Sequence, residues 1–105
     1  MAKGYLVVRA EVPDAADRAS FDHWYATDHL PLAISTFAAQ RGWRCWSRSD
    51  PAVHYAFYEF ADIRQVQALT DSAKIEPLIA DFDRVWGDRV PRRREILEIV
   101  QEMTP

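Results

Sequence analysis

Val53-His54-Tyr55-Ala56-Phe57-Tyr58-Glu59-Phe60 is the stretch on which the fold turns. Eight residues rich in aromatic and β-branched types, without glycine or proline, read as a strand. Alternation puts His54, Ala56, Tyr58 and Phe60 on one face and Val53, Tyr55 and Phe57 on the other, so both faces are apolar. Such a strand belongs inside a sheet, covered on both sides. Upstream, Ser49-Asp50-Pro51-Ala52 is a turn signal, and Trp43 to Ser49, opening after Gly42, is a second strand. The two form a hairpin.

Downstream, Asp62 caps a helix carrying Ile63, Val66 and Leu69. Asp71-Ser72 interrupts it, and one of the two caps a further helix with Ile75, Leu78, Ile79, Phe82, Val85 and Trp86 on its inner stripe. Gly87 ends that helix, and Pro91 precedes a last strand, Arg92 to about Glu102. At the other end, Gly4 to Val12 is the first strand, with Leu6, Val8, Ala10 and Val12 opposite Tyr5, Val7, Arg9 and Glu11. Pro13 stops it and Asp14 caps a helix that sets Phe21, Trp24, Tyr25 and Asp28 on one face. Pro31 lacks an N–H, which predicts a kink or break at Thr27 to Leu30, without a regular hydrogen-bond ladder, and a shorter helix from Pro31 to about Ala39, capped by Asp28.

The order is βαββαβ, an α+β fold of the ferredoxin-like kind: a four-stranded antiparallel sheet with its helices on one face. Right-handed crossovers put the first and third strands in the centre. Arg44, Arg48, Arg92, Arg93 and Arg94 then flank the edges. The face without helices carries Tyr5, Val7, Tyr55 and Phe57, an apolar patch expected to be the interface of a homodimer.

A chain of 105 residues is one domain, 1–105. Hydrophobic residues at 49% and charged ones at 28% are the balance of a globular protein. A net charge of −3 argues against a nucleic-acid binder, and the arginine run from Arg89 to Arg94 reads as an edge strand. No stretch is apolar enough for a membrane span and none reads as a secretory signal, so the expected location is the cytoplasm. Cys45 is alone, which excludes an intramolecular disulfide; between Trp43 and Trp46 it reads as a small core residue. Three scattered histidines make no metal site, no glycine-rich turn offers a dinucleotide site, and a chain this short has little room for haem. No cofactor is expected.

The segment Phe21-Asp22-His23-Trp24-Tyr25-Ala26-Thr27-Asp28-His29-Leu30-Pro31-Leu32 resembles the first-helix signature of the EthD-like proteins, within the dimeric α/β-barrel superfamily. There an aromatic pair, here Trp24-Tyr25, precedes a His-x-Pro element, here His29-Leu30-Pro31. Phe82-Asp83-Arg84-Val85-Trp86-Gly87 is similar to the end of the second helical region of such proteins. The resemblance implies a dimeric barrel. Its superfamily spans lactone isomerases, polyketide cyclases, dehydratases, cofactor-free monooxygenases and haem enzymes, so it implies no single reaction.

His29, beside an aromatic face and matching the His-x-Pro element, is the expected proton carrier, since an imidazole titrates near neutral pH. Tyr58, on the helix-facing side of the third strand, is the expected hydrogen-bonding partner of His29 or of its ligand. Trp24, Tyr25, Trp43 and Phe82 are the expected walls of a pocket for a small hydrophobic molecule. His54 should lie near the start of the first helix, about 22 Å along it from His29 at 1.5 Å per residue, and so should not partner it. His23 should be solvated. Three functions follow: proton transfer on a cyclic or aromatic carbonyl compound (isomerisation, cyclisation or dehydration), non-catalytic ligand binding by a homodimer, or cofactor-free oxygenation.

Overall fold

The computed structural model describes residues 2–105. Strand β1, Gly4–Glu11, is followed by a short 3-10 turn and α1, Arg18–Trp24. A π-helical turn, Tyr25–His29, joins α1 to α2, Leu30–Phe37. Strands β2, Arg41–Trp46, and β3, Val53–Phe60, form the hairpin. Helix α3, Ile63–Thr70, a 3-10 turn at Ala73–Ile75, α4, Glu76–Val85, and strand β4, Arg92–Glu98, complete the chain. The sheet order is β2-β3-β1-β4, antiparallel throughout, with β1 and β3 central. This is the ferredoxin-like α+β arrangement.

Register explains which residues reach the core. Leu6 faces Tyr58 and Ala10 faces His54 across the central pair, and all four are buried under the helices. Phe21 of α1 and Phe82 of α4 meet above them with ring centroids 6.0 Å apart. The expected caps are present: Asp14 accepts from the Ala16 N–H, Asp62 forms a capping box with Gln65, and Ser72 accepts from the Lys74 N–H. Gly87 is left-handed at φ +54°, as a helix end requires. Gly4 is needed for proximity, because a Cβ there would lie 2.8 Å from Ile63 Cα and force α3 off β1.

Several expectations are corrected. The irregular ladder expected before Pro31 is present, but the first helix does not break there. It widens into the π turn, in which the Leu30 N–H donates to the Tyr25 carbonyl, and Pro31 enters the first turn of α2, where a missing N–H costs least. Asp28 is exposed and caps nothing, since the helix never restarts. Strand β2 begins at Arg41 rather than Trp43 and ends at Trp46. Strand β4 ends at Glu98 rather than Glu102; one further bond, from the Ile99 N–H to the Lys3 carbonyl, follows the last ladder pair of Glu98 with Gly4. Cys45 is exposed, not in the core: it pairs with Tyr55 on the face away from the helices.

Candidate functional site

The π turn decides the site. It shares one wide turn among five residues and buries both Tyr25 and His29 at its ends. His29 is 5% exposed and stacks on Trp24, ring centroids 4.6 Å apart. Its Nδ1 lies 2.9 Å from Oδ2 of Asp81, on α4, whose other oxygen is bonded by Arg84. Burial pushes the His29 pKa down against the opposing pull of Asp81, so the ring is neutral at pH 7. Burial also opposes ionisation of Asp81, but the hydrogen bonds from His29 and Arg84 outweigh it and keep the carboxyl below its usual range. An ionised acceptor fixes the tautomer: Nδ1 carries the proton and donates to Asp81. Nε2 then has no hydrogen-bond partner among the described residues and remains a base.

Two phenols share the cavity with His29. Tyr25 and Tyr58 are buried with hydroxyl oxygens 3.4 Å apart. Burial raises the Tyr25 pKa to about 12 and lifts that of Tyr58 well above the ordinary value. Both stay protonated. In such a pair one hydroxyl donates to the other, which leaves the second O–H free to donate elsewhere.

His29, Tyr25, Tyr58, Phe82 and Leu78 surround a cavity with about 30 Å³ of free volume. That is about one water's share of the liquid. Ile79, Arg92 and Arg94 also line it, and the same three residues line an adjoining groove of about 540 Å³ between β4 and the end of α4. The groove is of ligand size, and these three residues form the wall it shares with the cavity.

Of the residues expected at the site, His29, Tyr25, Tyr58 and Phe82 line this cavity, and Trp24 supports His29 from behind. Tyr58 bonds to Tyr25 and not to His29. Trp43 is on the wrong face: it pairs with Phe57 and stacks on it at 5.4 Å, on the side of the sheet away from the helices. His54 is nearer to His29 than expected. Both rings pack on Tyr25, at 4.7 and 4.9 Å, because the helix proper starts at Arg18 rather than Asp14 and Tyr25 spans the gap. His23 is exposed.

Asp81 escaped the sequence reading. Its signal was present: it falls three residues after Leu78 and four before Val85, so it is a carboxylate on the apolar stripe of α4. A second omission is the cluster around His54, in which Asp22 accepts from Trp46 Nε1 at 2.8 Å and from Arg44 at 3.0 Å, while Arg44 also reaches His54 Nε2 at 3.3 Å. Among the described residues, no group of three or more His, Cys, Asp or Glu side chains could hold a metal ion. No helix among them is long and apolar enough to cross a membrane.

No protein-family model matches the sequence, and no curated protein matches it either. Solved structures do. An ethyl tert-butyl ether D (EthD) family protein from Bacillus halodurans C-125 superposes with a TM-score of 0.69 at 18% identity, over 98% of this chain and 100% of that one. A dimeric ferredoxin-like protein from an uncultured marine organism gives 0.59 at 14% identity, over 98% and 100%. SnoaB, a cofactor-independent oxygenase from Streptomyces nogalater, gives 0.65 at 14% identity, over 98% of each chain. The EthD resemblance of the first helix thus recurs in three dimensions. At these identities the common property is the fold.

Proposed function

We propose that this protein is an enzyme that moves a proton on a hydrophobic, cyclic or aromatic carbonyl compound, using side-chain chemistry alone. The observation that carries this reading is the buried, neutral His29, held by Asp81 through Nδ1 on the wall of a cavity that also contains the Tyr25–Tyr58 pair. Nε2 removes a proton from carbon next to the substrate carbonyl. The resulting imidazolium is stabilised by Asp81, and the free phenol O–H donates to the oxygen on which negative charge develops. Return of the proton to a different atom gives isomerisation; ring closure or loss of water from the same enolate gives cyclisation or dehydration. The substrate occupies the groove with its carbonyl end at the cavity.

A second reading, oxygenation of an electron-rich substrate without a cofactor, is favoured by the likeness to SnoaB. The same His29 would deprotonate the substrate before it meets oxygen. Incubation of lactones, quinones and polyketide-like ketones in air and under argon separates the two. Product formed equally under both gases supports proton transfer, and product coupled to oxygen uptake supports the second reading. Binding without turnover across the panel would make the protein a ligand-binding module. His29→Gln should lower turnover by ~10²-fold or more, the usual scale of one acid–base group.

We further infer a homodimer through the sheet face opposite the helices. Tyr5, Trp43, Phe57 and Leu97 enclose an apolar hollow there, Tyr55 stacks against Phe57 at 6.2 Å, and a dimeric neighbour of the same fold supports the arrangement. Light scattering after size exclusion should give twice the chain mass. Tyr55→Glu or Phe57→Glu should return it to the monomer, and a dimer that survives both substitutions would place the interface elsewhere.

A further inference from the structure

Among the described residues, six arginines are ion-paired with a carboxylate. Arg94 is not: its guanidinium is exposed and has no partner among the described residues. Its position is specific. In β4 it pairs with Val8, so it lies on the inner face of the sheet, and it lines both the His29 cavity and the groove. Protection of an edge strand accounts for Arg93, which pairs with Arg9 on the outer face. It gives no reason for an unpaired arginine on the inner face, where it lines both the groove and the His29 cavity.

The surroundings favour an anion. Asp83 and Asp88 are the carboxylates of the groove, against Arg92, Arg93 and Arg94. Asp83 is already engaged by Arg92 at 2.9 Å, and the Arg92 guanidinium sits over the Phe82 ring, 4.0 Å from its centroid. Arg92 is therefore committed to the wall, while Arg94 keeps its fork of donors, the geometry that matches a carboxylate. The rest of the cavity is apolar apart from the two phenols and the imidazole.

We propose that the substrate is a carboxylate-bearing aromatic or cyclic carbonyl compound, with its carboxylate on Arg94 and its carbonyl end at His29. The proposal rests on the reading of His29 given above. It assigns Arg94 a binding role and no part in the proton transfer. The anionic end anchors in the wide groove, where charge stays partly hydrated. The neutral, reacting end enters the buried cavity, where an uncharged imidazole and phenols receive it.

The test uses two probes of one shape, 4-acetylbenzoate and 4-acetylbenzamide, titrated into the full-length protein and followed by NMR. The carboxylate should bind at least about tenfold more tightly than the amide, a difference that one well-made charged pair supplies. Arg94→Gln should reduce that ratio to about one, with the amide unchanged, and substitution of an exposed arginine outside the groove, Arg48→Gln, should leave the ratio intact. His29→Gln should also preserve it, so a failed anion site and a failed acid–base assignment give different results. Equal affinity of the parent for both probes, no binding of the carboxylate, or an equal loss in Arg48→Gln would each overturn the proposal.

Discussion

His54 is wholly buried among Phe21, Tyr25 and Trp46, with ring centroids 5.1, 4.7 and 5.0 Å away. Arg44 can only donate, so His54 Nε2 accepts from it and Nδ1 must carry the proton. That Nδ1 is buried without a partner. Burial, and then the Arg44 charge, push the His54 pKa down to about 4. In the unfolded chain it returns to about 6.5. Between these values the unfolded state holds the extra proton, so stability falls as pH drops from about 6.5 to about 4. Above that window the residue contributes no pH dependence, and below it the loss levels off. The difference corresponds to about 3 kcal/mol, a large fraction of a small domain's total. His54→Leu should remove this loss while costing little at pH 7, because it also removes a buried N–H that has no acceptor. Urea unfolding from pH 7 to pH 4, at one protein concentration because a dimer makes stability concentration-dependent, measures it. The variant should gain about 3 kcal/mol on the parent between pH 7 and pH 4. His29 titrates in both proteins and cancels in the comparison. Parallel pH dependences would refute the reasoning.

Asp81→Asn removes the carboxylate that holds the His29 pKa up, so the acid limb of the pH–rate profile should move to lower pH while the rate falls; a merely structural role would lower the yield of folded protein and leave the limb in place. Tyr58→Phe should cost less rate than His29→Gln, because Tyr25 keeps its hydroxyl for the substrate oxygen, as steady-state kinetics would register. Gly4→Ala should destabilise by about 1–3 kcal/mol, seen as a lowered melting temperature, because the added methyl meets the Ile63 backbone.

The strands were legible because period-two alternation survives in β1 and β3, where each face has its own environment. Their central placement followed from handedness and from the doubly apolar β3. Trp43 was misplaced for a specific reason. The hairpin closes with Ser47 N–H donating to Val53 C=O, and this register sets Trp43 against Phe57; the turn residues alone do not state it. The π turn was legible only as a disturbance: proline chemistry announces an irregularity before Pro31 but not whether the helix breaks or widens. Asp81 and His29 lie 52 residues apart in the chain, and only the packing of α4 against the π turn brings them together. Cys45 was assigned to the core from its tryptophan neighbours, yet alternation sends them to opposite faces, Trp43 outward and Trp46 toward His54.

The central claim is that His29 Nε2 exchanges protons with carbon next to a carbonyl. Deuterium uptake from D2O into 4-acetylbenzoate and a set of cyclic ketones and lactones, followed by NMR, reads that step directly and needs no knowledge of the final product. The parent protein should accelerate exchange at the activated carbon of at least one compound, more strongly as pH rises through the His29 pKa, and His29→Gln should lower that rate by ~10²-fold or more. Exchange at the same rate with and without the imidazole, or no acceleration of any compound that binds the groove, would contradict it.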